Sequence, residues 1–413
     1  MFKPLKAPPM SNHAIQQLTL VDFLSYGSEL KPFDLHALNV LIGPNGSGKS
    51  NLIEAFAVLN ATAGDLAATL REGGGIGEYI RKSGGDTSSF MLFAKAALTN
   101  PGKGGRKHES LHYYIRVARA GQAPNVEGEL IEVRRGTEDA HAHRGNAVYS
   151  IIGNGAVIHQ RTPGGAGVEI VIEPEDLLRD RSILSQRRDP VAYPEITALA
   201  DLFGAIVIFR EWTFGNRTKL RAPQPTDLPT DFLLPDGSNL ALVLHDMLQR
   251  STTRKRLIDY LQRFYAAAQH ISTKIQGGTV QLFIEEANDV LVPATRLSDG
   301  TLRYLALLAI LCHPSPPPIV CIEEPELGLH PDIMPTIAEL LLDASQRTQL
   351  IVTTHSDALV SALSEVPECV VVCEAGEDGT RLRRLDRDAL AEWLNRYSLG
   401  EIWRMGEIGG TRW

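Results

Sequence analysis

The sequence predicts an α/β protein with a parallel sheet into which an antiparallel β region is inserted. Near the start, the apolar run Ala37–Ile42 leads directly into a glycine-rich loop and then a helical segment. In the last third, short apolar strands alternate with helices, a pattern typical of a parallel sheet covered by helices. Between these ends, residues 89–174 hold successive β-rich runs separated by Gly, Pro and Asn turns, which indicates an antiparallel meander.

Length and composition set outer limits. A chain of 413 residues with 43% hydrophobic and 22% charged residues has room for two or three domains and is neither disordered nor fibrous. A formal net charge of −8 excludes a uniformly basic nucleic-acid-coating protein, although it allows a local basic patch. Because the longest apolar run, Leu305–Cys312, cannot span a bilayer and no secretory signal is evident, we expect a cytoplasmic protein with no membrane partner.

The order of elements predicts one α/β unit, the head, that is split between the two ends of the chain. Residues 12–57 and 291–396 are assigned to this head, 58–175 to a β-rich subdomain, 176–290 to a mixed helical lobe, and 397–413 to a C-terminal tail. Within the lobe and the second part of the head, the predicted elements are a helix at 194–203, a strand at 205–212, helices within 238–270, a hairpin at 277–278, helices at 301–311, 333–344 and 358–363, strands at 319–322, 349–353 and 369–373, and a closing β-hairpin at 370–385.

The glycine-rich loop satisfies the pattern G-x-x-x-x-G-K-[ST] in the strand–loop–helix context that this pattern requires. Glycines allow successive backbone N–H groups to point into one concavity, and the helix start adds partial positive charge that attracts phosphate oxygens. Lys49 is expected to reach the β- and γ-phosphates, and the Ser50 hydroxyl to bind Mg²⁺. The predicted ATP-binding residues are Gly43, Pro44, Asn45, Gly46, Ser47, Gly48, Lys49, Ser50 and Asn51.

An apolar strand, Ile319–Ile322, ends in the acidic residues Glu323 and Glu324. Parallel strands deliver their carboxyl ends to the same edge of a sheet, so these acids should lie beside the phosphate loop. We expect Glu323 to hold Mg²⁺, and Glu324 to orient or deprotonate the water that attacks the γ-phosphate. Glu324 is therefore the predicted catalytic base.

A third segment, Leu-Ser-Asp-Gly-Thr at 297–301, begins the helix that leads to the acidic strand. By itself it is only a capped helix start. A fourth segment, Thr-Thr-His-Ser at 353–356, follows the strand after the acidic one. In this order, a phosphate loop, a Leu-Ser-x-Gly helix start, an acidic strand and a Thr-His-Ser turn are similar to the layout of an ABC-type ATPase.

Four strings carry the resemblance: GPNGSGKSNLIEAF, LSDGTLRYLALL, IEEPELGLHP and TTHSDALV. On these, the chain resembles the soluble ABC-type ATPases that include the RecF, SMC and OLD groups, and among them the bacterial stand-alone ATPases found beside phage-defence or toxin-like partners. The resemblance implies a P-loop NTPase fold of the ABC-ATPase head type, with an antiparallel β subdomain and a helical lobe inserted between the phosphate loop, or Walker A motif, and the signature.

The same resemblance implies a mechanism. Two heads dimerise head-to-tail, or form a higher homo-oligomer, with each ATP between the phosphate loop of one head and the signature of the other. Signature residues Ser298, Asp299 and Gly300 then face the ATP of the partner head. His355 resembles the histidine that contacts the γ-phosphate, and Gln186, in SILSQRRDP, is the candidate that links Mg²⁺ to the moving lobe.

The sequence departs from the family pattern at two of these positions. Glu323 stands where an Asp is usual, which keeps the charge but lengthens the arm. Asp299 replaces the first glycine of the usual Gly-Gly pair in the signature. Both changes add or move a carboxylate where nucleotide or metal is expected.

What the heads act on is left open by the residues. Only 40 residues follow Cys373, too few for a fused nuclease domain, so a nuclease or toxin would act in trans. Residues 210–263 hold nine Lys and Arg against six Asp and Glu, a pattern that allows DNA or RNA binding. For nucleic-acid binding, the candidate residues are Arg254, Lys255 and Arg256 with Phe209, Trp212 and Phe214. For a protein partner docked at the tail, they are Trp403, Met405, Ile408 and Trp413.

The expected function is that of an ATP-binding and hydrolysing head that dimerises on ATP and regulates a nucleic-acid-related effector in anti-phage defence. One alternative is a RecF-like mediator of DNA repair that binds DNA directly. The other is a nucleotide-gated scaffold with negligible turnover. A transporter head is disfavoured because the insertion between phosphate loop and signature is too long.

Overall fold

A computed structural model describes residues 14–82, 87–97, 109–135, 147–161, 167–213 and 215–410. In chain order the strands are β1 (Ile15–Val21), β2 (Phe33–Asp34), β3 (Leu38–Ile42), β4 (Ser89–Ala97), β5 (Glu109–Ala120), β6 (Ala123–Arg135), β7 (Ala147–Ile152), β8 (Gly155–Arg161), β9 (Gly167–Ile172), β10 (Ile206–Phe209), β11 (Gln224–Pro225), β12 (Ala268–Gln276), β13 (Thr279–Glu286), β14 (Val290–Pro293), β15 (Ile319–Glu323), β16 (Gln349–Thr353), β17 (Val370–Gly376) and β18 (Gly379–Arg384). The α-helices are α1 (Lys49–Thr62), α2 (Leu66–Glu72), α3 (Ile76–Tyr79), α4 (Ile183–Gln186), α5 (Pro194–Gly204), α6 (Leu240–Leu248), α7 (Ser251–Phe264), α8 (Asp299–Leu311), α9 (Met334–Ala344), α10 (Asp357–Ser361), α11 (Ala391–Leu394) and α12 (Leu399–Arg404).

Six described strands form a central sheet in the order β10-β15-β16-β3-β17-β18. Strands β10 to β17 in this order are parallel, whereas β18 returns antiparallel to β17 as the predicted closing hairpin. The sheet is buried on both faces, because Val40 and Ile42 point into one hydrophobic cluster while Leu41 points into the other. This explains why the strands read as continuous apolar runs.

A second described sheet is antiparallel, with the order β2-β1-β4-β5-β6-β7-β8-β9. It is the antiparallel subdomain that the sequence predicts. Strands β1 and β2 were not predicted, and they join this sheet from before the phosphate loop: Leu18 pairs with Ala94 of β4. Strand β1 escapes pattern reading because its second half, at residues 18–21, is buried on both faces and does not alternate.

The segment 176–290 contributes one strand to the central sheet and a hairpin to a separate sheet. Helix α5 and the β12–β13 hairpin agree with the predicted elements, and the hairpin turn uses Gly277 and Gly278, whose φ angles of 58° and 75° suit a tight turn of this kind. Strand β10, in contrast, lies in the central sheet beside β15. No helix in the part of the chain that the structure describes is long and apolar enough to cross a membrane.

Candidate nucleotide site

The central sheet brings three of the predicted motifs to one edge. Strand β3 ends at Ile42 just before the phosphate loop, and β15 ends at Glu323. Between them lies β16, in which Thr353 pairs with both Glu323 and Leu41. Because these strands are parallel, the phosphate loop, the acidic pair and the turn containing His355 all follow carboxyl ends at the same edge.

The phosphate loop adopts a conformation that needs glycine. Gly43, Gly46 and Gly48 have φ angles of 148°, 77° and 98°. A Cβ on Gly43 would lie 2.3 Å from the carbonyl oxygen of Cys373, and one on Gly48 would lie 2.2 Å from Thr380 Oγ1. Both glycines are therefore required by the close approach of β17 and β18 as well as by backbone conformation.

Three hydroxyl and amide side chains hold the loop from outside. Thr380 Oγ1 donates to the carbonyl of Ser47 at 3.0 Å and lies 2.7 Å from Ser25 Oγ, which accepts from Asn51 Nδ2 at 2.7 Å. Asn51, predicted to bind nucleotide, thus positions the loop. Ser25 and Thr380 were missed by sequence reasoning, because they come from segments far from the motif.

Lys49 lies inside the loop. Its ammonium donates to the carbonyl oxygens of Gly43 and Pro44 at 2.8 and 2.9 Å, and the residue is 6% exposed. The neighbouring Ser50 is exposed at the first turn of α1. A buried cation at a helix start is the arrangement that attracts phosphate oxygens.

The two predicted catalytic residues meet at the end of β15. Glu324 Oε1 lies 3.8 Å from His355 Nε2. Glu324 has a φ of 46°, unusual for a residue with a side chain, and its N–H donates to Thr353 O at 3.0 Å. The buried Arg303 donates to the Glu324 carbonyl, which holds this left-handed turn in place.

Glu326 fixes the turn that presents His355. Its Oε1 accepts from Thr354 Oγ1 and from the His355 N–H, both at 2.7 Å. Burial and the charge of Lys49 lower the pKa of His355, while Glu324 and Glu326 raise it. This shift favours the neutral imidazole at neutral pH, and Glu326 is a positioning residue beside the two acids that end β15.

Arg210, immediately after β10, joins two acidic side chains. Its Nη1 lies 2.6 Å from Glu54 Oε2, and its Nε lies 3.2 Å from Glu323 Oε1. Burial raises the pKa of Glu323, and the charge of Arg210 opposes this. Trp212 adds a hydrogen bond from Nε1 to the Glu323 carbonyl at 3.0 Å. The sequence signal that could have identified Arg210 is its position directly after the apolar strand β10, which pairs with β15.

Gln186 makes a different set of contacts. Its side-chain amide donates to the carbonyls of Leu178 and Arg181 at 2.9 and 3.0 Å and accepts from the Leu178 N–H at 3.0 Å. These bonds tie the end of α4 to the preceding loop. Its role as a metal ligand stays a prediction, and the side chain that reaches Glu323 is Arg210.

The predicted signature forms the start of α8. Ser298 is the N-cap, and its Oγ accepts from the Thr301 N–H at 3.0 Å. A Cβ on Gly300 would lie 2.9 Å from the carbonyl oxygen of Gly328, so the helix start packs tightly against the turn after the acidic strand.

Asp299, the departure from the family pattern, is paired within the chain. Its Oδ1 lies 2.5 Å from Arg221 Nη2, and its Oδ2 accepts from the Gly215 N–H at 3.0 Å. Arg221 also donates to the carbonyl of Leu297 at 2.5 Å. The carboxylate thus has both a cation and a backbone donor of its own.

The tail packs on its own chain beside the phosphate loop. Trp403 Nε1 donates to Gly410 O at 3.2 Å, and the Gly410 N–H donates to Glu374 Oε1 at 3.1 Å. The position of a Cβ on Gly410 is 3.4 Å from the Gly43 Cα. Trp403 and Ile408 belong to the core, Met405 is exposed, and Phe214 and Trp413 lie outside the described residues.

The residues present fit a nucleotide with a divalent cation. Ser47 Oγ, Glu323 Oε1 and Glu326 Oε2 are buried without a hydrogen-bond partner among the described residues, which points to a polar ligand. No group of three or more acidic, His or Cys residues in the described ranges could hold a metal alone. Mg²⁺ is commonly bound by one or two carboxylates together with substrate phosphates, for which Ser50 and Glu323 are the protein ligands at hand.

The fold and the site define a P-loop NTPase of the ABC-ATPase head type. The chain belongs to the family described as "AAA domain, putative AbiEii toxin, Type IV TA system", whose model matches residues 38–96 and 158–361, more than half of the chain.

Two solved SMC head structures are similar in fold. One is an SMC head bound to the C-terminal winged-helix domain of ScpA, 14% identical, with a TM-score of 0.54 over 92% of this chain and 99% of that one. The other is an SMC head with an extended coiled coil bound to the C-terminal domain of ScpA, from Pyrococcus furiosus, 12% identical, with a TM-score of 0.52 over 92% and 98%. No curated protein sequence matches.

Proposed function

We propose that this protein binds ATP with Mg²⁺ at the edge formed by β3, β15 and β16 and hydrolyses it. The observation that carries the proposal is the position of Glu324 Oε1, 3.8 Å from His355 Nε2, at the same sheet edge as the buried Lys49. Lys49 and the loop N–H groups bind the phosphates, and Ser50 and Glu323 hold the metal, which neutralises phosphate charge. Glu324 takes the proton of the attacking water, and the neutral imidazole of His355 contacts the γ-phosphate.

We further propose that ATP joins two copies head-to-tail, with Ser298 and Gly300 of one copy facing the ATP of the other. Support comes from the α8 start, where Ser298 caps a 13-residue helix whose N-terminus carries partial positive charge. The Asp299 charge is offset within the same copy by Arg221, so it does not rule out an approaching phosphate.

The test compares wild-type protein with Glu324→Gln. The variant is expected to bind ATP–Mg²⁺ as wild type does, to lose turnover by roughly 10²- to 10⁴-fold because the base is gone, and to accumulate as a dimer. Calorimetry, phosphate release and light scattering measure the three quantities. Glu392→Gln, a change at an exposed glutamate, is the matched control. A Glu324→Gln protein that stays monomeric in saturating ATP–Mg²⁺ would contradict the dimer.

We propose that the nucleotide cycle controls a separate effector, a nuclease or toxin, in anti-phage defence in the cytoplasm. The family description names a putative toxin of a type IV toxin–antitoxin system, which supports a place for this protein in such a system. Direct nucleic-acid binding gains less support, since Arg256 pairs with Asp343 and Arg263 pairs with Glu339. Purified protein alone is therefore expected to leave DNA intact with Mg²⁺ and ATP; cleavage without a partner would count against an effector in trans.

A further inference from the structure

Arg210 bridges two carboxylates that come from different parts of the fold. Glu54 lies on α1, one helical turn beyond Ser50, and Glu323 ends β15. Tyr79 also contacts Glu54, donating its hydroxyl to Oε1 at 3.1 Å. One guanidinium therefore stands between a carboxylate fixed on the helix of the phosphate loop and the carboxylate assigned to the metal.

The two halves of this bridge are unequal. The contact from Nη1 to Glu54 Oε2 is a hydrogen-bonded ion pair of 2.6 Å. The contact from Nε to Glu323 Oε1 is 3.2 Å, and neither atom forms a hydrogen bond with another described residue. Glu54 thus anchors Arg210, whereas Glu323 makes the longer contact and can change partner while the anchor stays.

We propose that Arg210 is the resident counterion of Glu323 and competes with the divalent cation for that carboxylate. Without nucleotide, the guanidinium lies 3.2 Å from this carboxylate and balances its charge. When ATP and metal bind, Glu323 turns to the metal and Arg210 keeps Glu54. This inference rests on the proposed nucleotide site, and it adds a positioning residue that sets how tightly that site takes its metal.

The experiment measures the binding of Mn²⁺ to full-length protein saturated with a non-hydrolysable ATP analogue. Mn²⁺ serves as a paramagnetic probe for Mg²⁺. Arg210→Gln removes the competitor and is expected to lower the Mn²⁺ dissociation constant by roughly three- to tenfold. Arg210→Lys keeps the charge but cannot bridge two carboxylates as a planar fork does, so it should fall between Arg210→Gln and wild type. Affinity for the analogue in EDTA should not rise in either variant.

Two further variants bracket the result. Glu54→Gln releases the anchor and lets Arg210 hold Glu323 more closely, so Mn²⁺ binding should weaken. Arg188→Gln breaks an exposed ion pair with Asp201, 3.1 Å long, and should leave Mn²⁺ binding unchanged; it is the matched control.

Three results separate the possibilities. If wild type binds no Mn²⁺ with the analogue, the proposed nucleotide site itself fails. If wild type binds but Arg210→Gln weakens Mn²⁺ and analogue together, Arg210 contacts the phosphates and the competition is overturned. Should Arg210→Gln fail to fold, Arg210→Lys decides alone: a dissociation constant equal to or higher than that of wild type overturns the inference.

Discussion

Two helix starts face the positions proposed for nucleotide, and they treat negative charge in opposite ways. At α1, the first turn reads Lys-Ser-Asn-Leu and follows a loop of left-handed glycines, with the Lys49 ammonium buried inside it. At α8, the first turn begins with Asp299, whose carboxylate is already bound by Arg221 and by the Gly215 N–H. The first start is arranged for an anion from outside, and the second contains an anion of its own.

A helix start attracts negative charge whatever its source. Asp299 takes up part of that attraction at α8, so a phosphate arriving there meets a carboxylate and its counterion rather than open N–H groups alone. Nucleotide affinity should therefore reside mainly at α1. The contribution of α8 should appear in how tightly two copies associate around the nucleotide.

One segment contacts both places. Arg210 reaches Glu323 at the end of β15, and Arg221, eleven positions later, reaches Asp299 at the start of α8. A rearrangement at Glu323 can therefore reach the start of α8 along the backbone between Arg210 and Arg221. Substitutions at either helix start therefore test whether the two starts treat negative charge differently.

Among changes at the two helix starts, Lys49→Ala is expected to have the largest effect on nucleotide affinity. Removing the buried cation takes away charge-assisted hydrogen bonds to phosphate, each worth about 1.5 to 3 kcal/mol, so ATP affinity should fall by roughly 10- to 100-fold. Calorimetry with ATP–Mg²⁺ measures this, and Lys255→Ala, at an exposed lysine of α7, is the control. Equal affinities for wild type and Lys49→Ala would show that α1 is not the main nucleotide site.

A smaller effect is expected at α8, and its sign depends on which partner is changed. In a Glu324→Gln background with ATP, Asp299→Asn removes the carboxylate and leaves Arg221 to attract phosphate, so the dimer should tighten by roughly two- to fivefold. Arg221→Gln leaves Asp299 without its cation, and the dimer should weaken by a similar factor. Analytical ultracentrifugation measures both.

When ATP is absent, the same two variants should not differ from the background, because the charges then face no phosphate. Arg387→Gln, which breaks an exposed pair with Glu365, serves as the control. If both changes weakened the dimer equally, the Asp299–Arg221 pair would be a support for the α8 start and no more.

The parts of the site that could be predicted from the sequence are those formed by residues that are consecutive in the chain. Residues 43–51 form one loop, and the acids at 323–324 end one apolar strand, so local pattern and the geometry of parallel strands were enough to bring them together. Local patterns also predicted the central sheet and most of the antiparallel sheet, whereas β1 and β2 were missed.

The parts that the sequence missed depend on pairs of residues far apart in the chain. Thr380 meets the phosphate loop only because β18 pairs with β17 in a particular register, and Arg210 meets Glu323 only because β10 lies beside β15. A metal role was predicted for Gln186 from a short string and stays a prediction, whereas Arg210, directly after β10, is the residue that contacts Glu323. Register and strand order are tertiary properties that no local pattern contains.

The smallest expected effect is a shift in the pKa of His355. This shift tests whether Lys49 and Glu324 both act on the imidazole of His355. Burial and Lys49 lower the pKa of His355 below its ordinary value of 6.5, whereas Glu324 raises it. Lys49→Ala removes a cation that disfavours the imidazolium, so the pKa should rise; Glu324→Gln removes a carboxylate that favours it, so the pKa should fall. Proton NMR of the imidazole, assigned by its loss in His355→Gln, follows the titration in nucleotide-free protein. Shifts in the same direction would mean that His355 does not sense both charges, and that the 3.8 Å approach to Glu324 does not persist in solution.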